Sequence, residues 1–445
     1  MVEQMNRRSM VMDNKSGFVV CMMVSFWIIA ELSGGKLCAQ TRGAEPTPAS
    51  AIFEIQVGTR KVTTDQTTKL NVPVVPMWNA GMANPDLEDG AGFPVLSSAE
   101  HTLVWQPATR EDGAYNHYAC LIHYKGKFFA MWGNHPMGED APGQRILFSH
   151  SEEWGEWTNA WELLPPPGPV LPRSEKGIHL KPDRWAIIDD ILYAIIFIHG
   201  AGGESYPIGL RVFKDGTFDE PFLIKNPGDR NILPHTESEW PPFDDRVERK
   251  FDNWYDATHQ VSWWAAARDG VNRKANDGSN LIETFMYKAA DGTKVLMARN
   301  WGTPSNPVHN NRIYVTFDDG KGNGWGSLHP TNIPDSPTRT QAISLDDGRV
   351  LLIGSQNVPY FDEALYLARD PLTISVSKDG YTFDRVYAFH TNASRSFRIE
   401  NVSGRNPGYA YTSSIIHEGW LYTLYSIGKE DMGISRVPLS ALDEK

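Results

Sequence analysis

Cysteine is scarce in this chain, and its scarcity excludes several structural classes. The 445 residues include only three cysteines, Cys21, Cys38 and Cys120. The first two lie in a stretch that we predict to be removed, so Cys120 would remain alone and no intramolecular disulfide could form. No two histidines or cysteines have the spacing of zinc ligands. We therefore expect no catalytic metal and no required cofactor.

Helical periodicity and excess positive charge are also missing. No long amphipathic helix and no alternation of strands with helices can be found in the sequence. Lys and Arg number 42 against 54 Asp and Glu, so the formal net charge is −12 at pH 7. This balance argues against general binding of nucleic acid, although a local basic pocket could still bind an anionic glycan.

The N-terminus carries an apolar run that is typical of an export signal. Residues 18–30 follow a basic segment and are too few to span a bilayer comfortably. Leu37-Cys38-Ala39 then offers a cleavage site before Gln40. We predict a signal peptide over residues 1–39, a flexible leader over 40–52 and a catalytic domain over 53–445. The protein would be secreted or periplasmic without stable membrane insertion; the alternative is an uncleaved anchor.

Short apolar runs separated by glycine-containing turns fill the rest of the chain and indicate β-hairpins. Six hairpins are clear, at Leu121–Met131, Leu210–Leu223, Phe285–Ala298, Ala342–Ile353, Ile374–Phe389 and Ile415–Ile427. Because no linker-like segments separate them, one β-propeller is favoured over several sandwiches. We predict an all-β fold, a single propeller of four-stranded blades, with seven blades favoured and six as the alternative. A closing strand would come from residues 93–105.

Two stretches, Ser151–Trp157 and Ser377–Phe383, resemble the Asp-box turn of sialidase-type propellers in degenerate form. The chain as a whole, over about residues 93–440, resembles the sialidase-like propeller superfamily. More closely, it resembles secreted propeller enzymes that act on acidic polysaccharides, such as ulvan lyases and rhamnosyl-glucuronate-cleaving propellers. The segments that carry this resemblance are Asn116–Tyr118, Lys125–Trp132, Pro142–Arg145, Leu147–Ser149, Asp335–Thr340, Arg369–Leu372, Pro407–Tyr411 and Tyr425–Asp431.

One feature of the superfamily's sialidases is absent here. Those enzymes use three arginines around a carboxylate, a Tyr–Glu nucleophile pair and an early Phe/Tyr-Arg-Ile-Pro motif. The early stretch in this chain is Phe93-Pro-Val-Leu96, which has no arginine and argues against sialic acid. Tyr411 nevertheless precedes the last hairpin much as the sialidase nucleophile does, so a sialidase remains an alternative.

The candidate catalytic residues suit elimination at a uronate, which requires a base, an acid and a group that neutralises the carboxylate. His117 and His135 would meet across a hairpin as one pair. Tyr206 and Arg211 would form a second pair, the arginine clamping the carboxylate and the tyrosine donating a proton. For each pair the alternative is an ordinary structural role in a strand or loop.

Further residues would bind substrate from other blades. They are His199, Arg339, Arg369, Tyr409, Tyr411 and Lys429. The loop that begins at Asp318 could hold a structural calcium ion, although it lacks the full spacing of a calcium loop. The fifteen tryptophans and sixteen tyrosines favour strands and suit sugar stacking.

We therefore predict a monomeric enzyme that cleaves an acidic, uronate-containing polysaccharide or oligosaccharide, by β-elimination. The alternatives are a glycoside hydrolase of sialidase or rhamnosidase type, and a glycan-binding propeller without activity.

Overall fold

The computed structural model describes residues 51–84, 86–202, 205–224, 246, 249–250, 275, 277–300, 311–318, 320–321, 325–357, 368–394 and 396–443. These ranges begin with strands β1 (Phe53–Val57), β2 (Arg60–Thr64) and β3 (Glu100–Trp105). The helices described are short, an α-helix at Glu88–Ala91 and a 3-10 helix at Leu439–Asp443. No helix in the described ranges has the length and apolarity needed to cross a membrane.

Five four-stranded antiparallel sheets, called blades, make up most of the described fold. Blade 1 contains β4 (Tyr115–Tyr124), β5 (Lys127–His135), β6 (Arg145–Ser151) and β7 (Trp161–Leu164). Blade 2 contains β8 (His179–Ile188), β9 (Ile191–His199), β10 (Ser205–Val212) and β11 (Phe222–Leu223). Blade 3 contains β12 (Leu281–Lys288), β13 (Lys294–Asn300), β14 (Arg312–Asp318) and β15 (His329–Pro334).

The last two blades complete this series. Blade 4 contains β16 (Gln341–Ser344), β17 (Val350–Gly354), β18 (Leu372–Ser377) and β19 (Phe383–His390). Blade 5 contains β20 (Tyr409–His417), β21 (Trp420–Ile427) and β22 (Asp431–Pro438), with β3 as its outer strand. Because β3 pairs with β22, a strand from near the start of the domain closes the last blade. The predicted closing strand is thus confirmed.

The hairpin turns form where the sequence predicts them, and all six hairpins are confirmed. At Asp291-Gly292 the aspartate accepts a hydrogen bond from the N–H of Thr293 at 3.0 Å, and the glycine takes φ of +87°. Asp347-Gly348 repeats this arrangement. A side-chain acceptor followed by a residue in the left-handed region is what these tight turns require.

The described residues form five blades, fewer than the seven that the sequence favoured. Residues 53–96 add no blade, because they lie along the outside of blades 3 and 4. Val75 bridges to Thr331 and Trp78 bridges to Phe383, both in parallel orientation. Residues 225–245 and 251–274, between blades 2 and 3, fall outside the described ranges.

Neighbouring blades share hydrophobic clusters, which hold the sheets face to face. Such clusters join blade 1 with blade 2, blade 3 with blade 4, blade 4 with blade 5, and blade 5 with blade 1. Trp132, Phe148 and Phe383 are fully buried in them. The first strand of each blade faces inward, and together these strands line a channel of about 720 Å³. The N-terminal ends of these five inner strands therefore lie close to one another at one mouth of the channel.

Candidate active site

A pocket of about 280 Å³, called the funnel pocket, adjoins the channel. It is lined by Tyr118, Lys181, Pro182, Asp183, Arg184, Phe197, His199, Leu281, Ile282, Glu283, Thr284, Arg339 and Tyr411. The lining combines cations, carboxylates and two tyrosines with a few apolar side chains. This composition suits a small polar, anionic ligand.

Interruptions in the inner strands position the pocket's main side chains. The pairing register shifts in β4 after His117, in β12 after Ile282 and in β20 after Ala410. Tyr118, Glu283 and Tyr411 follow these points with φ of +63°, +53° and +59°. A β-bulge breaks the alternation of side chains and re-aims one of them. Each bulge here places a reactive side chain in the pocket lining.

Tyr411, Glu283 and Arg299 form a hydrogen-bonded triad. The Tyr411 hydroxyl donates to Glu283 Oε1, and Arg299 Nη1 donates to Glu283 Oε2 at 2.7 Å and to the Tyr411 hydroxyl at 3.2 Å. Burial alone would raise the pKa of Glu283, but the Arg299 charge and these hydrogen bonds outweigh it and lower the pKa. Burial, together with the Glu283 charge, holds the pKa of Tyr411 well above its ordinary value. The resting site therefore contains a neutral phenol beside an ionised carboxylate.

Arg369 and Asp335 are buried polar groups with unused hydrogen-bonding capacity. Arg369 is 3% exposed and donates from Nη2 to the carbonyl of Pro337 at 2.6 Å. Within the described part of the chain its Nε and Nη1 have no partner, and neither do the two carboxyl oxygens of Asp335. Burial raises the pKa of Asp335 to about 7, although Arg299 and Arg369 act in the opposite direction. Unsatisfied groups of this kind indicate a place for a ligand or water.

Asp140 lies behind the pocket lining and contacts two of its residues, Tyr118 and Lys181; the Tyr118 ring also meets that of Tyr411 at a centroid distance of 5.3 Å. Tyr118 donates to Asp140 Oδ1 at 2.6 Å, and Lys181 donates to Asp140 Oδ2 at 2.8 Å. Burial would raise the pKa of Asp140, but the Lys181 charge and both hydrogen bonds outweigh burial and lower it. Asp140 is therefore ionised at rest and can act as an acid only after it takes up a proton.

Of the predicted histidines, His117 lies at the site and His135 does not. The His117 ring packs 3.9 Å from that of Tyr411, and its Nδ1 lies 2.8 Å from the Ser426 hydroxyl. Burial, with nearby cations, holds the pKa of His117 well below its ordinary value. The ladder pairs His117 with Gly133 and His135 with Tyr115, so the predicted pair is not formed. His135 instead bonds three backbone groups of the loop that follows β5.

The structure also separates the predicted pair Tyr206 and Arg211. Both lie on β10, the third strand of its blade, five residues apart. Side chains an odd number of positions apart on a strand point to opposite faces. Arg211 is exposed and lies over the Phe213 ring at 4.6 Å.

Three of the six predicted substrate-binding residues line the pocket, whereas Arg369, Tyr409 and Lys429 do not. Arg339, Tyr411 and His199 line the pocket, and His199 stacks on His179 at a ring-centroid distance of 4.9 Å. Tyr409 instead packs between blades 4 and 5, and its hydroxyl donates to the carbonyl of Thr391, just after β19, at 2.8 Å.

Lys429 belongs to the buried surroundings of the pocket. Its Nζ donates to Glu139 Oε1 at 2.8 Å and to the Gly404 carbonyl at 3.0 Å. Burial lowers the pKa of Lys429 to about 8 even though Glu139 opposes that shift.

Sequence reasoning missed Glu283, Arg299, Asp140 and Asp335. A usable signal existed for the first two. They flank the hairpin about Asp291-Gly292, and β13 returns Arg299 opposite Ile282, next to the glutamate. For the calcium loop, Asp319 and residues 322–324 fall outside the described ranges, so its ligand geometry stays a prediction. No cluster of potential metal ligands occurs in the residues that are described.

The sequence and the fold were compared with known proteins. Residues 235–423 match the BNR repeat-like domain family. A sialidase structure superimposes with a TM-score of 0.61 and 16% identity over 82% of this chain and 35% of its own length. A protein of unknown function from Dyadobacter fermentans gives 0.47, with 11% identity over 77% and 99% of the two chains. A Trypanosoma rangeli sialidase gives 0.41, with 9% identity over 79% and 59%.

This chain spans about a third of the length of the first of these sialidases. No curated protein matches the sequence. At such low identity the structural likeness concerns the fold, and none of these matches singles out the propeller lyases. Residues 235–423 thus resemble the BNR repeat-like domain family, and the fold is similar to that of a sialidase β-propeller.

Proposed function

We propose that this protein hydrolyses the glycosidic bond of a carboxylate-bearing sugar, with Tyr411 as the nucleophile. The observation that carries this proposal is the buried triad of Tyr411, Glu283 and Arg299 in the lining of the funnel pocket. A tyrosine that donates to an ionised carboxylate has its base already in place.

In the first step the Tyr411 oxygen attacks the anomeric carbon while the hydroxyl proton passes to Glu283. The bond to the departing sugar oxygen breaks as the new bond forms, and this oxygen must take up a proton. Because Tyr411 is neutral at rest, it can approach an anionic sugar without the repulsion that a carboxylate nucleophile would meet. Water then attacks the anomeric carbon of the glycosyl-tyrosine and gives its proton to the carboxylate that had protonated the leaving group, while Glu283 returns its proton to the departing phenolate, so the configuration is retained.

Asp140 is the residue that we propose as the acid that protonates the leaving group. It contacts two residues of the pocket lining, Tyr118 and Lys181, and the Tyr118 ring meets that of Tyr411. Since Lys181 keeps it ionised, protonation of Asp140 would have to accompany substrate binding. Asp335, whose pKa is about 7, is the other carboxyl group that could supply a proton.

Arg369 is the residue that we propose to bind the substrate carboxylate. A buried guanidinium with two donors unused is costly unless an anion occupies them. The unused Nε and Nη1 lie on different edges of the guanidinium, so each can donate one charge-assisted hydrogen bond to a carboxylate or to a water that bridges to it. Arg339 adds further positive charge to the pocket lining.

Elimination at a uronate is the second candidate, and one observation favours it. His117 Nε2 is buried without a hydrogen-bond partner among the described residues, and its ring lies against Tyr411. A neutral imidazole next to a buried arginine could remove a proton next to a carboxylate that the arginine has neutralised.

Incubation with sialosides, rhamnose–glucuronate oligosaccharides and uronate polymers tests both candidates. Hydrolysis releases a reducing sugar without new ultraviolet absorbance, whereas elimination creates an absorbing unsaturated uronate. We expect the first result, abolished in Tyr411→Phe and retained in His117→Ala. An absorbing product that Tyr411→Phe still forms and His117→Ala does not would replace hydrolysis with elimination. Absence of any product from all three substrate classes would favour a binding role.

We also propose that the enzyme acts outside the cytoplasm, because residues 1–39 have the pattern of an export signal. N-terminal sequencing of exported protein should give a start at Gln40. Full-length protein retained in the membrane fraction would instead indicate an uncleaved anchor.

A further inference from the structure

A second cavity, called the arginine cleft, lies beside the funnel pocket and has no part in the proposed reaction. Its volume is about 770 Å³, larger than the pocket itself. Its lining includes three arginines, Arg110, Arg173 and Arg405, against one acidic residue, Glu400. In a protein with a formal net charge of −12, this local excess of positive charge indicates an anionic ligand.

The arginines of the cleft are only partly neutralised by their neighbours. Arg405 binds Glu430 at 2.8 Å, yet its side chain is 2% exposed and its Nε has no partner among the described residues. Arg173 has about half of its side chain exposed and approaches Glu139 only to 3.6 Å. Arg173 therefore offers donor groups at the rim of the cleft, and Arg405 adds buried positive charge at its base.

Glu139 and Asp140 are adjacent residues of one loop that connects the arginine cleft with the active site. One oxygen of Glu139 accepts from buried Lys429 at 2.8 Å, and the other faces Arg173 in the cleft. The next residue, Asp140, binds Tyr118 of the funnel pocket. Adjacent residues of one loop thus contact lining residues of both cavities, which places the cleft near the pocket.

We propose that the arginine cleft is a second subsite, which binds a carboxylate- or sulfate-bearing sugar unit of the glycan whose terminal unit occupies the funnel pocket. The link to a terminal unit rests on the proposed hydrolase function, whereas the anion preference of the cleft does not. The enzyme would then favour glycans that carry charge on more than one unit over those charged only at the end.

Binding of defined oligosaccharides to the full chain tests this subsite. The Tyr411→Phe protein serves as the parent so that no probe is cleaved. It is compared with Arg110→Ala/Arg173→Ala and with Lys61→Ala/Lys378→Ala, both built on that background. The lysine pair removes equal charge from exposed positions away from the cleft. Calorimetry measures hexagalacturonate, a sulfated neutral hexasaccharide, its unsulfated form and monomeric galacturonate.

We expect the arginine variant to lose about tenfold in affinity for a charged hexasaccharide and the lysine control to keep the parent affinity. Affinity for the monomer should stay the same in all three. If the arginine variant loses affinity for hexagalacturonate alone, the subsite binds carboxylates. If it loses affinity for the sulfated hexasaccharide alone, the subsite binds sulfates.

Equal affinities of the arginine and lysine variants for the charged hexasaccharides would overturn the subsite. So would a parent protein that binds the charged hexasaccharides no more tightly than the unsulfated one. Thermal unfolding of each variant checks that the fold is retained. If catalysis is never found but the arginine variant loses binding, the hydrolase proposal fails and the subsite stands.

Discussion

Glu283→Gln is the most informative single change, because it removes a charge and leaves the shape of the side chain. If Glu283 is the base for Tyr411, its loss should lower kcat by about a thousandfold, within the range of general base catalysis. KM for the carboxylate-bearing sugar should change little, because Arg369 and Arg339 remain. The assay is steady-state release of the aryl group from an aryl glycoside of that sugar.

The same substitution should also destabilise the protein. Arg299 lies 2.7 Å from Glu283, with side-chain exposures of 9% and 20%. Removing one partner of a buried pair costs about 3–5 kcal/mol. The glutamine oxygen still accepts one hydrogen bond, so we expect a loss of about 2 kcal/mol in the free energy of unfolding. Glu100→Gln is the matched control, since Glu100 binds Arg436 at 2.8 Å in a more exposed pair and should lose under about 1 kcal/mol.

A double-mutant cycle with Tyr411→Phe separates a catalytic role from a structural one. If Glu283 acts through Tyr411, then Glu283→Gln/Tyr411→Phe should be no slower than Tyr411→Phe alone. If the double variant instead loses kcat by the product of the two single losses, the two side chains act independently. That result would refute the assignment of Tyr411 as nucleophile and Glu283 as its base. A loss of less than about tenfold in the single Glu283→Gln variant would also refute it.

Three further outcomes are expected. Asp335 keeps its proton in the folded state up to a pKa of about 7, so it lowers stability as pH rises from about 4 to 7. Asp335→Asn should therefore remove that pH dependence from the free energy of unfolding, and an unchanged pH slope would contradict the assignment. His135→Ala leaves two backbone N–H groups and a carbonyl without partners, and should cost about 2–4 kcal/mol by chemical denaturation while leaving KM unchanged. Arg369→Lys replaces a guanidinium that has unused Nε and Nη1 donors with a compact ammonium, and should raise KM for the carboxylate sugar by about tenfold, but not the KM of its methyl ester.

Local turn chemistry made the hairpins predictable. Pairs such as Asp291-Gly292 set their own geometry through a side-chain acceptor and a residue with positive φ, so the sequence alone identifies them. The closing strand could likewise be predicted, because β22 at the end of the chain lacked an outer neighbour. The blade number could not, because residues 53–96 have strand-like patterns yet lie across the outside of existing blades.

The active site was only partly predictable, for reasons that differ among its residues. Tyr411, Arg339 and Arg369 follow turn-rich segments and could be selected by position. Glu283 and Arg299 sit in ordinary alternating strands, and only the bulge after Ile282 shows that the glutamate joins the pocket. Simple alternation also paired His117 with the wrong residue, since His135 returns two positions away in the ladder.

The bulges at Tyr118, Glu283 and Tyr411 link the stability of the fold to its proposed activity in opposite directions. A bulky or charged residue with positive φ stores about 1–3 kcal/mol of backbone strain. Asparagine or glycine at Tyr118 or Tyr411 would release part of that strain and remove a reactive group. Selection for thermal resistance alone would therefore tend to erase this site while the propeller survived. Stabilised variants that emerge from such a selection should be screened for lost turnover at these positions first.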